Sequence, residues 1–327
     1  MDFPQNYNSP IVGQERAVSI LSKYISVGSV PPALLFVGYK GVGRMKTALE
    51  FARALNCEIP ENRRFMLHHD KKETLLLCDC RSCKSLRAGS HPSVIIVDEK
   101  YQKELTGKEN AGGTTGIDTV REIQRALSLK LPDGTKKTVV IVDSAEALSR
   151  EAADAFLKTL EEPSSTACLI LLAPSRRTLP RTITSRCQTI FFRRLSGDEI
   201  AGIIKRIRPD AQQQQIFSDE MTRIFSSSGS VSEALEIVDN YDYYSKVLME
   251  NKFRYMEITA KDFKKDSDAA AFINYLALST RDEFLKDPDK KLYIREAILD
   301  ALKLLSSGVN RIMVLSRLHA GLYGIKE

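Results

Sequence analysis

The sequence predicts an α/β fold: a parallel sheet flanked by helices, interrupted by a small cysteine-bearing module and followed by a purely helical part. Three observations predict it. The apolar run Pro31-Pro32-Ala33-Leu34-Leu35-Phe36-Val37 leads into the glycine-rich turn Gly38-Tyr39-Lys40-Gly41-Val42-Gly43, and a helical pattern follows from Met45 to Leu55. Val94-Ile95-Ile96-Val97-Asp98 and Thr138-Val139-Val140-Ile141-Val142-Asp143 are continuous apolar runs, the signature of strands buried on both faces. The alternation of strand and helix patterns stops near Asp198, and only helical patterns follow.

The elements follow in order. Val18, Leu21 and Ile25 recur at helical spacing over 11–26, and Gly28, Ser29, Pro31 and Pro32 end that helix. Behind the glycine turn, Ala48, Phe51, Ala52 and Leu55 share one helix face. Lys100 to Thr115 is charged and then glycine-rich, and predicts a loop. Val120, Ile123 and Leu127 make an amphipathic helix of 117–129, with Asp118 favouring its positive end, and Leu131-Pro132-Asp133-Gly134 a turn. Ser149 caps a helix over 150–162 that Pro163 stops. Cys168 to Ala173 is a further buried strand, and Thr189 to Phe192 a short one. Ser196-Gly197-Asp198-Glu199 is a capping box that opens a helix to Ile207. The remaining helices are predicted over 212–227, 231–248, 252–263, 267–284 and 288–323, the last divided near Ser306-Ser307-Gly308.

A chain of 327 residues predicts two or three domains. Its 43% hydrophobic and 28% charged residues are those of a globular protein. No apolar run approaches the ~20 residues that span a bilayer, and the first residues carry no secretory pattern. Residence in the cytoplasm, with no membrane partner, is the expectation. The net charge of +6 permits contact with nucleic acid without arguing for it.

The stretch Gly38 to Thr47 has the outline of a phosphate-binding loop, which requires G-x-x-x-x-G-K-[ST]. Gly38 and Gly43 fit, and Gly41 adds a flexible point. Arg44 stands at the lysine position and Met45 at the hydroxyl position. Lysine places a compact charge on the phosphates, whereas arginine is bulkier and planar. A thioether does not suit Mg²⁺, which seeks oxygen ligands. Asp143, at the end of an apolar strand, stands where such proteins keep their metal-holding acid.

Cys57 and the cluster Cys78, Cys80 and Cys83 fall within an insertion of about 56–92. In a reducing compartment four such thiols read as a tetrahedral zinc site before they read as disulfides. His91, His68 and His69 are alternative ligands for one position.

At this point the motifs accumulate. Val12-Gly13-Gln14, the altered glycine loop, the cysteine insertion, Val142-Asp143, Leu157-Lys158-Thr159-Leu160-Glu161-Glu162-Pro163 and Ser185-Arg186-Cys187 occur in one order. The chain resembles the AAA+ subunits of bacterial clamp loaders, and most of all their delta-prime type. The resemblance implies an AAA+ domain over 1–195, a helical lid over 196–245 and a helical collar over 246–327. It also implies that Arg186, between Ser185 and Cys187, reaches the γ-phosphate of ATP held by a neighbouring subunit, an arginine finger supplied in trans. In the family a glutamate follows the strand aspartate, an arginine sits in the lid and a polar sensor follows the fourth strand. Here Ser144, Ser232 and the stretch Ala173-Pro174-Ser175 stand at those places. The family's three-cysteine run C-x-x-C-x-x-C is shifted, with Leu77 at its first position.

The altered groups lead to an expectation: a subunit that does not hydrolyse ATP itself, has no ATP or magnesium in its own site at Gly38, Gly41, Gly43, Arg44 and Asp143, and carries structural zinc. Its partners would be a tau/gamma ATPase subunit and the delta subunit, with the sliding clamp and primed DNA met through the assembly. The short C-terminus speaks against a long tau-type tail. Two alternatives stand beside this. One is a tau/gamma-like ATPase with a divergent but active site in which Arg44 replaces lysine. The other is a DNA-binding module using Arg176, Arg177, Arg181, Arg193 and Arg194, with Tyr241, Tyr243 and Tyr244 as stacking candidates.

Overall fold

Four apolar runs and the short segment Gln188–Phe191 form a five-stranded sheet, and every pairing within it is parallel. The computed structural model describes residues 10–59, 78–106, 115–128, 131, 135–208, 222, 225, 229–240, 269, 272, 273, 297–305, 307 and 309–323. The chain divides into two units, Met1–Arg194 and Leu195–Glu327.

In the first unit the order is α1 (Glu15–Val27), β1 (Ala33–Val37), α2 (Arg44–Asn56), α3 (Arg81–Arg87), β2 (Val94–Val97), α4 (Glu99–Thr106), α5 (Ile117–Ser128), β3 (Thr138–Val142), α6 (Arg150–Glu161), β4 (Ala167–Ala173), α7 (Arg181–Thr184) and β5 (Gln188–Phe191). The sheet runs β2-β3-β4-β1-β5. β4 is therefore central and β1 lies between it and the edge strand β5, with Leu35 opposite Leu171 on one side and Thr189 on the other. This is the parallel α/β sheet that the apolar runs predict.

Alternate residues of each strand serve two cores. Leu34 and Phe36 of β1 join Val139, Ile141, Ile170 and the α2 residues Leu49 and Phe51. Leu35 and Val37 join Val140, Val142, Leu169, Leu171 and the helix residues Val120, Ile123 and Phe156. The side-chain period of two along a strand sends neighbours to opposite faces. Each fully buried Leu or Phe contributes about 1.5–3 kcal/mol. The consequence for function is positional: the carboxyl ends of β1, β3 and β4 deliver Gly38, Asp143 and Pro174 to one edge, where ligands bind in open parallel sheets.

Local chemistry sets the helix ends. Gly28, at φ 71°, closes α1 by donating its N–H to the Ile25 carbonyl. Ser149 caps α6 by accepting from the Ala152 N–H. Ser196 and Glu199 form the predicted capping box at the start of α8 (Gly197–Ile207). α4 departs from expectation, because it occupies part of the predicted loop 100–115. Asp98 Oδ1 accepts from the Tyr101 N–H at 2.8 Å and starts the helix, and the Gln102 amide is buried against Thr115 Oγ1. Dense charge masked the pattern, because the helix buries polar rather than apolar groups. β4 begins one residue before its predicted start, and β5 begins and ends one residue before its predicted limits.

The second unit packs Ile200, Ile204, Phe225, Phe272, Leu315 and Leu318 in one core. Its helix Val231–Asp239 stops at Asn240, shorter than the predicted 231–248. Helical residues 297–305 and the helix Arg311–Tyr323 flank the predicted break at 306–308. The predicted helices 252–263, nearly all of 212–227 and 267–284, the turn at 131–134 beyond Leu131, Tyr241, Tyr243, Tyr244 and the boundary between lid and collar lie outside the described residues. Among the described residues no helix is long and apolar enough to cross a membrane.

Candidate functional site

The glycine loop is shaped by what surrounds it. A Cβ on Gly38 would stand 2.7 Å from Phe192 Cβ and 2.8 Å from the Phe192 carbonyl oxygen, so only glycine lets β1 leave the sheet here. Gly43 has φ 100° and is the residue before α2, with no side chain capping that helix. The first turn of α2 carries no acidic residue, so the positive end of the helix is uncompensated by its own sequence.

Arg44 opens α2 and is only 9% exposed. Its Nη1 has no hydrogen-bond partner. Burial pulls its pKa below the ordinary arginine value, and the charges of Asp143 and Glu146 act in the opposite sense. An enclosed guanidinium with a free donor is costly until an acceptor arrives. Met45 faces away from this chemistry and packs on the apolar core. Thr47 is buried and donates its hydroxyl to the Gly43 carbonyl.

Beside the loop, Asp143 follows β3, and its Oδ1 accepts from the Ser144 N–H at 3.0 Å. Ser144 takes φ 56°, the one non-glycine residue in the left-handed region among those described. The chain then turns through a short 3-10 segment, Ala145–Ala147. That turn brings Glu146 close enough to Arg44 to act on its charge. The spacing of Glu146 from Asp143 does not by itself predict this, because it takes no account of the left-handed turn at Ser144. Ser175 Oγ accepts from the Arg177 N–H, and Ser232 is exposed on the helix Val231–Asp239.

Ser185-Arg186-Cys187 follows α7. Cys187 is buried among Ile183 and Leu179, and burial pushes its thiol up to about 12, so it is a neutral anchor. Ser185 Oγ donates to the Thr182 carbonyl. Arg186 is exposed, and its Nη1 donates to the Thr182 carbonyl at 3.0 Å and its Nη2 to Glu161 Oε1 at 2.6 Å. Two motifs separated in sequence thus meet through one ion pair. Arg176, Arg181, Thr182, Thr184 and Ser185 line an open depression with Arg186. The other basic residues are elsewhere: Arg194 lies over the Tyr39 ring at 4.2 Å, and Arg193 faces Glu15.

The four cysteines of the insertion converge. Cys57, Cys78, Cys80 and Cys83 place their sulfurs within 4.8 Å of one another, and Cys57 and Cys78 approach to 3.6 Å. Tetrahedral zinc bonds of about 2.3 Å set sulfurs about 3.8 Å apart, so the donor set fits that ion. Cys57 closes α2, and Cys80 caps α3 by accepting from the Cys83 N–H at 3.4 Å. Burial pushes the Cys57 thiol up to about 11 and that of Cys83 higher still. Arg53 Nη1 lies 4.0 Å from the Cys83 sulfur. His91 is not a ligand: its Nδ1 accepts from the Ser93 N–H and its Nε2 meets Ser82 Oγ at 2.9 Å. His68 and His69 lie outside the described residues.

A family model described as DNA polymerase III, delta subunit, matches residues 13–196. The chain is similar to the DNA polymerase III subunit tau of Bacillus subtilis, with 29% identity over 90% of this chain and 50% of that protein. It is also similar to the DNA polymerase III subunit gamma of Buchnera aphidicola, with 29% identity over 74% of this chain and 60% of the relative. The chain spans about half the length of the curated relatives it matches. A crystal structure of a DNA polymerase III gamma subunit-related protein from Thermotoga maritima aligns over 94% of this chain and 99% of its own, at 17% identity and a TM-score of 0.46. These relatives correct one expectation. The altered loop predicted a chain without its own ATPase, yet the relatives carry the tau and gamma names, the class that the resemblance associates with ATP hydrolysis.

Proposed function

The chain belongs to the DNA polymerase III, delta subunit family, and on that footing we propose that it is a tau/gamma-like clamp-loader subunit that uses ATP in its own divergent glycine-loop site. One observation carries the reading: the buried Arg44 keeps a donor without a partner at the start of α2. A phosphate there would satisfy Nη1 and gain from the helix end, two effects that act on the same charge. Arg44 thus takes the part of the usual lysine. Asp143 would hold a divalent cation, which neutralises charge on the phosphates when bound. Glu146 is the acid nearest to replacing the glutamate that Ser144 displaces.

Arg186 serves a second site in this reading. It reaches the nucleotide of a neighbouring subunit, with Ser185 and Cys187 fixing the turn that presents it. The partners are the other tau/gamma and delta subunits, and the assembly loads a sliding clamp onto primed DNA. Zinc held by Cys57, Cys78, Cys80 and Cys83 would tie the end of α2 to α3 and contribute stability rather than catalysis. Helices after Leu195 supply a lid over 196–245 and a collar over 246–327. The test is calorimetric titration of the full chain with ATPγS and magnesium, followed by ATP turnover in the reconstituted loader. Saturable binding that Arg44→Ala weakens supports the reading, and no binding at millimolar nucleotide rejects it.

A further inference from the structure

We propose that Gln14 is a positioning residue that couples the glycine loop to the strand end Phe192–Arg194, from which the chain runs on into the helical unit; this rests on the nucleotide reading above. Gln14 is 3% exposed. It occupies the residue before α1, yet its side chain does not cap that helix. Instead its Nε2 donates to the Val42 carbonyl at 3.1 Å and to the Arg193 carbonyl at 2.9 Å, while its Oε1 accepts from the Arg193 N–H at 3.1 Å. Both amide hydrogens and the oxygen are therefore used, and they join two backbone segments 151 residues apart in sequence, Val42 and Arg193.

The amide is planar, so its donors and acceptor move together. A loop that turns its N–H groups toward a phosphate carries the Val42 carbonyl with it and must drag Gln14 or break a buried bond, and the same plane holds both polar groups of Arg193. Other contacts follow this route. The Phe192 N–H donates to the Val37 carbonyl at 2.7 Å, immediately before Gly38. The Tyr39 ring lies under the Arg194 guanidinium. Arg193 Nη2 stands 3.8 Å from Glu15, beside Gln14. Consecutive residues of the strand end thus each touch the loop or its support. A structural bolt would need only one of them.

Hydrogen exchange resolved to single amides in the full chain tests this, with ATPγS and magnesium as the probe. In the wild type the nucleotide should slow exchange of the Arg193 amide, together with the loop amides, by roughly tenfold, the scale of one added buried hydrogen bond. Gln14→Leu should abolish the Arg193 response while the loop still responds, and should weaken nucleotide binding by about tenfold. Tyr39→Ala, which leaves the buried bonds intact, should retain the Arg193 response. Nucleotide that protects the loop of the wild type but leaves Arg193 unchanged overturns the coupling alone. Gln14→Leu with an unaltered affinity and an unaltered Arg193 response also overturns it. Absence of any binding by the wild type removes the nucleotide reading, and this inference with it.

Discussion

Glu161 holds Arg186 through a 2.6 Å contact between Oε1 and Nη2, and the two residues come from separate motifs, the end of α6 and the turn after α7. Both side chains are exposed, so the pair adds at most about 1 kcal/mol to stability. The arrangement parks the guanidinium without committing it.

Arg186→Ala should therefore leave the melting temperature of the isolated chain nearly unchanged. In a reconstituted loader it should lower DNA-stimulated ATP turnover by roughly tenfold or more, since fingers supplied in trans are worth about 10³–10⁵ in the strongest cases. A coupled ATPase assay with primed DNA measures this. Unchanged turnover would remove the finger role.

Arg44→Met should weaken binding of ATPγS by at least about tenfold, the value of one charge-assisted hydrogen bond to phosphate. The same variant should match or exceed the wild type in melting temperature without nucleotide, because it removes a buried charge with an unsatisfied donor. Arg44→Lys should retain binding. Calorimetry and thermal melts on the three proteins separate a ligand-binding arginine from a structural one.

Asp143→Asn should reduce the magnesium dependence of nucleotide binding, and Glu146→Gln should lower turnover in the assembly while leaving binding within about threefold. If Glu146→Gln turns over at the wild-type rate, Glu146 serves only to balance the charge of Arg44.

Elemental analysis should find about one zinc per chain, the occupancy that four thiols imply. Uptake should release protons, because burial holds the metal-free Cys57 thiol up at about 11 and Cys83 higher, so both are protonated at neutral pH. Titrations in two buffers of different ionisation heat count those protons. Chelation should lower the melting temperature by several degrees. A folded preparation free of metal, with no heat on adding zinc, contradicts the site.

The sheet was legible because its inner strands are unbroken apolar runs, which are buried on both faces only in a covered parallel sheet. Asp143 and the glycines were legible for the same reason, since they sit where those runs end. Glu146 was not, because its placement depends on the left-handed turn at Ser144, which no spacing rule encodes. Gln14 stands out in the sequence only within Val12-Gly13-Gln14, because its three bonds join segments far apart in sequence. The Arg44 substitution was legible as a change, while its consequence was not: burial and a missing partner are properties of the folded loop. α4 escaped because Gln102 and Thr115 bury a hydrogen bond where a periodicity argument looks for carbon.

The central claim is that this chain handles nucleotide in its own site. The most direct test is equilibrium binding of ATPγS with magnesium to the purified full-length chain, compared with Arg44→Met. The account predicts saturable binding at one site in the micromolar range, corresponding to about −8 kcal/mol, weakened at least about tenfold in the variant. No binding by the wild type, or equal binding by both proteins, would contradict it.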